Sequence, residues 1–163
     1  MHAPVSTLRV TVPTEWIDVN GHMNATHYGL VIYEAHVTFT RQLGLGEDYV
    51  QRTGCGKAVL ASHMVYEREV ALGDELEVRS WLLAVDAKRL HFFHELHNLG
   101  KGCRAATAEQ VDIHIDLALR QSSALPEALF AALKQRVLAN LDAGPPPGVG
   151  NPIRPPINRW LNT

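Results

Sequence analysis

The spacing of apolar residues changes several times along the chain. Residues 6–17, "STLRVTVPTEWI", are rich in β-branched side chains and predict an extended segment, with Pro13 marking an edge strand or a bulge. From Asn24 the apolar positions are Tyr28, Ile32, Ala35, Phe39 and Leu43, steps of three or four that line one face of a helix ended by Gly44 and Gly46. The same helix carries Val31, Val37, Thr38 and Thr40, whose branched side chains lower helix propensity. It therefore needs burial by the rest of the fold, which a surrounding sheet would supply.

After a loop holding Gly54 and Gly56, four segments read as strands: "KAVLASHMVYEREV", "ELEVRSWLLAV", "KRLHFFHELHN" and "CRAATAEQVDIHIDLAL". The links "ALGD", "DA" and "LGKG" are short enough for hairpins, so residues 57–119 predict an antiparallel sheet. In the last strand Val111, Ile113, Ile115, Leu117 and Leu119 share a face opposite Asp112, His114, Asp116 and Arg120. One side packs; the other meets water or a neighbouring subunit. A second helix starts at Pro126 and presents Leu129, Phe130, Leu133 and Val137 to the sheet or to another subunit. The tail "GPPPGVGNPIRPPINRW" holds too much proline and glycine for regular structure, and Ile153, Ile157 and Trp160 are its candidate anchors. The class is α+β, with one domain over residues 1–141 and a Pro/Gly-rich tail over 142–163.

Composition narrows the function classes. A formal net charge of -2 gives the chain as a whole no electrostatic reason to bind nucleic acid. Cys55 and Cys103 sit in no zinc or CxxC spacing, which favours a reducing cytoplasm over a disulfide scaffold. Neither a signal-peptide pattern nor an apolar run of membrane-spanning length occurs in the sequence, so no membrane role is expected.

The chemistry concentrates in residues 18–28, "DVNGHMNATHY". Asn20-Gly21 is a turn signal and Asn24 a good N-cap, which places Asp18 close to a helix start. Unpaired N–H groups and the positive dipole end there can stabilise charge on a carbonyl oxygen. A carboxylate facing that carbonyl can activate water or attack directly. The competing explanation is local: Asp18 and Asn20 tie down a turn while His22 and His27 are solvated. The nine histidines show no metal spacing. His91 and His97 share a strand face and His94 takes the other, so polar positions beside a cleft or subunit contact explain them better. Ser62 and Ser80 lie in no nucleophile motif, Cys55 has no identifiable partner, and "GLGEDY" is a helix stop that lacks the context of a phosphate loop.

"EWIDVNGHMNATHY", a long helix and then "YEREVALGDELEV" resemble the hotdog-fold acyl-CoA thioesterases of the 4-hydroxybenzoyl-CoA thioesterase type, over about residues 8–120. With "HMVYEREVALGDEL" and "DAKRLHFFHELHN", the narrower resemblance is to the betainyl-CoA thioesterases of carnitine degradation. The resemblance implies a long helix wrapped by an antiparallel sheet and a homodimer, or a higher homo-oligomer, with active sites at the interface. It implies hydrolysis of a short acyl-CoA, with Asp18, His22 and Asn24 in catalytic positions and the backbone after Gly21 polarising the thioester. Met23, Tyr28, Ser62, His63, Trp16 and Phe92 become candidate substrate contacts, and Glu34 a polar position facing the cleft.

Some relatives place a Glu from the partner subunit where this chain has Ser62 and His63, so a second carboxylate is not expected there. A trimethylammonium acyl group would be held by aromatic faces drawn from Trp16, Tyr28, Tyr33, Tyr66, Trp81, Phe92 and Phe93. Coenzyme A enters as part of the substrate, with no other cofactor and no metal, and its phosphates would meet Lys88 and Arg89, with Lys57, Arg68, Lys101 and Arg104 as further candidate cations. The alternatives are another short or aromatic acyl-CoA, and a non-catalytic acyl-CoA-binding protein.

Overall fold

A computed structural model describes residues 4–154. The elements in chain order are β1 (Val5–Thr11), a single 3-10 turn (Thr14–Trp16), α1 (Ala25–Gln42), α2 (Glu47–Thr53), β2 (Cys55–Tyr66), β3 (Glu75–Val85), β4 (Arg89–Asn98), β5 (Cys103–Asp116), β6 (Gln121–Ser122) and α3 (Glu127–Leu141). The sheet runs in the order β1-β3-β4-β5-β2, all neighbours antiparallel, with β6 added to β5. It wraps α1, which buries Tyr28, Val31, Ile32, Ala35, His36, Phe39 and Thr40 against it. This is the hotdog arrangement, and tertiary burial holds the β-branched helix as its sequence requires.

The cap of α1 follows the sequence reading: Asn24 Oδ1 accepts the Thr26 N–H at 2.9 Å, satisfying one of the first-turn donors. At the other end Gly44 takes φ +83°, a conformation that costs glycine little. Several expectations are corrected. The extended segment ends at Thr11, because Pro13 cannot donate to the ladder and Thr14–Trp16 turn instead. The loop after α1 contains a helix, α2, with Glu47 and Asp48 in its first turn and Gly54 in the left-handed conformation at its end. In β5 the polar row is the buried one: Asp112 and His114 face the core, while Val111, Ile113 and Ile115 lie half-exposed on the outer face. The strand stops at Asp116, leaving Leu117 and Leu119 exposed in a turn.

α3 covers the end of β3 that β1 does not reach, and Asn140 Nδ2 donates to the open Leu82 carbonyl at 3.1 Å. The tail then crosses the outer face. Arg104 Nη1 donates to the Pro147 carbonyl at 2.7 Å and the Gly150 N–H to Glu109 Oε2 at 2.7 Å. Val149, not Ile153, is the apolar anchor: it packs with Trp81, Leu83 and Phe93, while Ile153 is exposed. Ile157 and Trp160 lie outside the described residues.

Candidate active site

Asp18–Gly21 form the tip of a small hairpin closed by the bridge between Ile17 and Met23. The Asp18 N–H donates to the His22 carbonyl and the Gly21 N–H to the Asp18 carbonyl, both at 3.0 Å, with Gly21 at φ +79°. Asp18 Oδ1 accepts the Asn20 N–H at 2.8 Å, which fixes the carboxylate with respect to its own turn. Asn20 and Gly21 build this turn. The hairpin docks through Met23 N–H to the Val70 carbonyl (2.7 Å) and Asn24 N–H to the Trp16 carbonyl (2.9 Å). Consequently two backbone donors after Gly21 are already engaged by the fold.

Asp18 lines an open groove of about 380 Å³ with His22, Met23, Ala25, Tyr28 and residues 66–69. The rings of Tyr28 and Tyr66 meet edge-on, centroids 5.3 Å apart, and Tyr28 Oη donates to the Arg68 carbonyl at 3.2 Å. Burial raises the Tyr28 hydroxyl above its ordinary pKa. His22 Nε2 lies 3.0 Å from Glu69 Oε2. Glu67 is gripped by Arg104 through two contacts of 2.9 and 2.7 Å, and that guanidinium holds its carboxyl below the usual range. Sequence reasoning assigns no role to Glu67 or Glu69; the available signal was the "YERE" run, two acids directly after Tyr66 where β2 ends.

The remaining candidates do not all converge. Trp16 stacks on His27, centroids 5.1 Å apart, behind the hairpin. Phe92 is fully buried against Phe39 and His36, and Trp81 and Phe93 sit beneath the tail, so these three rings do not line the groove. Ser62 and His63 lie on β2, opposite Gln110 and Glu109 on β5, and Glu34 is exposed on α1. Lys88 ends the β3–β4 turn and Arg89 opens β4, with Arg89 held by Asp86. The length of β3 separates them from the Asp18 end of the sheet, about 33 Å at the usual rise per residue. Among the described residues both cysteines are free and no cluster of His, Cys, Asp and Glu is arranged for a metal. Among the described residues no helix is long and apolar enough to cross a membrane.

The family model described as the thioesterase-like superfamily matches residues 12–133, from the Asp18 hairpin through the sheet into α3. The chain belongs to the thioesterase-like superfamily. Betainyl-CoA thioesterase of Pseudomonas aeruginosa is 32% identical over 158 residues, spanning 96% of this chain and 99% of that protein. L-carnitine dehydrogenase/betainyl-CoA thioesterase of a Rhizobium species is 31% identical over 147 residues, 90% of this chain but 29% of that longer protein. Among solved structures, a hypothetical protein of Staphylococcus aureus in complex with CoA superposes with a TM-score of 0.84 at 27% identity, covering 94% of this chain and 97% of that one. A putative thioesterase of Pseudomonas putida superposes with a TM-score of 0.79 at 29% identity, covering 96% and 100%.

This thioesterase-like chain also holds a buried polar chain that sequence reasoning missed. Thr7 Oγ1 lies 2.9 Å from Ser80 Oγ, Ser80 Oγ 2.7 Å from His94 Nδ1, His94 Nε2 3.2 Å from His36 Nδ1, and His36 Nε2 2.9 Å from Asp112 Oδ2. Lys57 Nζ closes it, 3.0 Å from Asp112 Oδ2 and 2.8 Å from His36 Nε2, and Gln110 donates to Asp112 Oδ1 at 2.8 Å. Burial pushes His94 down to about 3, which keeps it neutral. Burial raises Asp112, but the His36 hydrogen bond and the charges of His36 and Lys57 outweigh it, so its pKa falls below the ordinary value.

The direction of this chain follows the His36 tautomer, because His36 Nε2 has the Asp112 carboxylate oxygen at 2.9 Å and two donors, Lys57 Nζ at 2.8 Å and Gln110 Nε2 at 3.1 Å. Ser80 Oγ, His94 and the His36–Asp112 pair follow one another at hydrogen-bond distance, as a serine nucleophile and its base would. Ser80 is 0% exposed, however, so an acyl group has no route to it. The available signal was His36, a polar residue on the buried face of α1.

Proposed function

We propose that this chain hydrolyses the thioester of a short acyl-CoA, and that betainyl-CoA is the substrate its groove fits best. The observation that carries the reading is the pinned Asp18 carboxylate at the start of α1, in a groove walled by Tyr28, Tyr66 and Glu69. Aromatic faces beside carboxylates attract a quaternary ammonium, which cannot donate a hydrogen bond. The names of the two betainyl-CoA relatives support the same substrate.

In this reaction Asp18 takes a proton from the water that attacks the thioester carbonyl, or itself attacks that carbonyl to form an anhydride that water then opens; on either route the C–S bond breaks, and the CoA thiolate leaves and is protonated. In a single turnover in isotope-labelled water, label in Asp18 identifies an anhydride opened at the aspartyl carbonyl. The oxyanion is met by amides at the helix start. Met23 and Asn24 are engaged elsewhere, so His22 and Ala25 supply the donors from this stretch. Glu69 orients the His22 ring at the groove mouth.

The working unit is a dimer joined through β2. That strand has one free edge and carries Val59 and Leu60 exposed, and α1 exposes Leu30 and Tyr33. Antiparallel joining brings the Cys55 end of one β2 beside the Tyr66 end of the other. It also swings the Lys88–Arg89 turn toward the second copy's groove, where CoA phosphates would lie.

The test is a thiol-release assay on a panel of CoA thioesters that includes acetyl-CoA, an aromatic acyl-CoA and betainyl-CoA. The expected result is the highest kcat/KM for betainyl-CoA. Hydrolysis of the aromatic or acetyl ester at a higher kcat/KM would overturn the substrate, and CoA thioesters that bind without thiol release would overturn the reaction.

A further inference from the structure

The buried polar chain ends on a side chain that the chemistry at Asp18 does not use within one copy. Lys57 reaches inward from β2 to Asp112 and His36, and 17% of its side chain remains exposed. It lines a second groove, of about 290 Å³, whose other walls include Tyr33, Val37, Thr40 and Arg41 of α1. Asp112 cancels the ammonium charge, so Lys57 offers this groove a hydrogen-bond donor without net charge. Such a donor suits a neutral carbonyl oxygen better than a phosphate. Burying Asp112 and two histidines beneath one lysine carries a desolvation cost that a solvated lysine avoids. What the arrangement achieves is a fixed position, since the chain extends across β5, β4 and β3 to Thr7 on β1.

Within one copy Lys57 is far from the Asp18 groove. Nine positions of β2 separate it from Tyr66, about 30 Å. Pairing with a second copy reverses this. The run of exposed residues 58–62 on β2 is centred on Leu60. A two-fold antiparallel pairing about Leu60 sets Lys57 opposite His63 of the partner subunit, three positions or about 10 Å from Tyr66 of the partner subunit. Each Lys57 groove then continues into the other copy's Asp18 groove.

We propose that Lys57 works in trans, donating a hydrogen bond to a carbonyl oxygen in the pantetheine arm of an acyl-CoA whose thioester lies at the other subunit's Asp18. Asp112, His36, His94 and Ser80 act as positioning residues for it. This rests on the acyl-CoA reading of the Asp18 groove.

The test uses full-length chains carrying two different tags, co-expressed and purified as the mixed pair, with kcat/KM read on the best substrate of the thioester panel. Lys57→Met alone is expected to lower kcat/KM about tenfold through KM, with kcat within about threefold, and K57R to recover part of the loss. In the mixed pair of K57M with D18N, action in trans leaves one intact site, roughly half the wild-type kcat/KM per dimer. Action within one subunit leaves only a site lacking Lys57, roughly a twentieth of wild type on the same tenfold estimate. A value near a twentieth, or a K57M chain equal to wild type, overturns the proposal. If K57M does not fold, the double variant K57M/D112N, which removes the buried charge with its partner, takes its place under the same criteria. An unmutated chain without thiol release would overturn the reaction at Asp18 as well, so the two failures are read on different proteins.

Discussion

Asp18→Asn removes one charge and no hydrogen bond. The carboxamide oxygen still accepts the Asn20 N–H that now lies 2.8 Å from Asp18 Oδ1, and the two main-chain bonds of the turn do not involve the side chain. Asp18 is only half-buried at a hairpin tip, so the change uncovers no buried partner. Its effect on folding stability should stay within about 0.5 kcal/mol. Loss of a general base costs about 10²- to 10⁴-fold in rate, equivalent to about 2.7–5.5 kcal/mol in the barrier. The assay is continuous thiol release at saturating acyl-CoA, with thermal unfolding of the same preparation. Turnover within threefold of wild type, at an unchanged melting temperature, would refute the role of Asp18. Asp18→Ala adds a control: it also loses the turn hydrogen bond, about 1 kcal/mol, and so should lower stability where the asparagine does not.

Tyr66→Ala should raise KM for betainyl-CoA about two- to fivefold and leave acetyl-CoA unchanged, the difference expected of an exposed cation–π contact; equal effects on both would count against it. His36→Leu should cost about 3 kcal/mol in chemical denaturation, because it leaves His94 and Asp112 buried without their shared partner. Glu77 is pushed up by burial, but Arg79, Arg9 and Ser6 pull it down to about 2 from 4.5. Its folded pKa lies below the unfolded one, so its stabilisation is complete above about pH 4.5 and is lost as pH falls toward 2. Glu77→Gln should therefore flatten the fall of melting temperature across that window. Leu60→Lys on the free edge of β2 should shift sedimentation toward monomer, and an unchanged dimer would place the interface elsewhere.

Much of the architecture is legible because it follows from local physics. Steps of three and four marked α1, Asn24 marked its start, and short polar links marked the hairpins of β3, β4 and β5. The α2 helix was missed because seven residues present too little periodicity, and its acidic first turn and Gly54 were the remaining signals. The Asp18 turn could be read from its own residues. The far wall of the groove could not, because residues 66–69 approach it only when Val70 accepts the Met23 N–H.

β5 shows most clearly where local reading stops. Alternation determined that Val111, Ile113 and Ile115 lie on one face and Asp112 and His114 on the other, because successive side chains in a strand point to opposite sides. Hydrophobicity alone would bury the first set. The fold buries the second, because His36 from α1 and Tyr49 from α2 supply Asp112 and His114 with hydrogen-bond partners at 2.9 and 2.8 Å. By itself the sequence determined the period, the caps, the turns and the carboxylate before the helix. Only the tertiary structure decided which face of β5 is inside, and that Lys57, His36 and Asp112 meet, since a buried polar group is tolerated only where residues distant in sequence satisfy it.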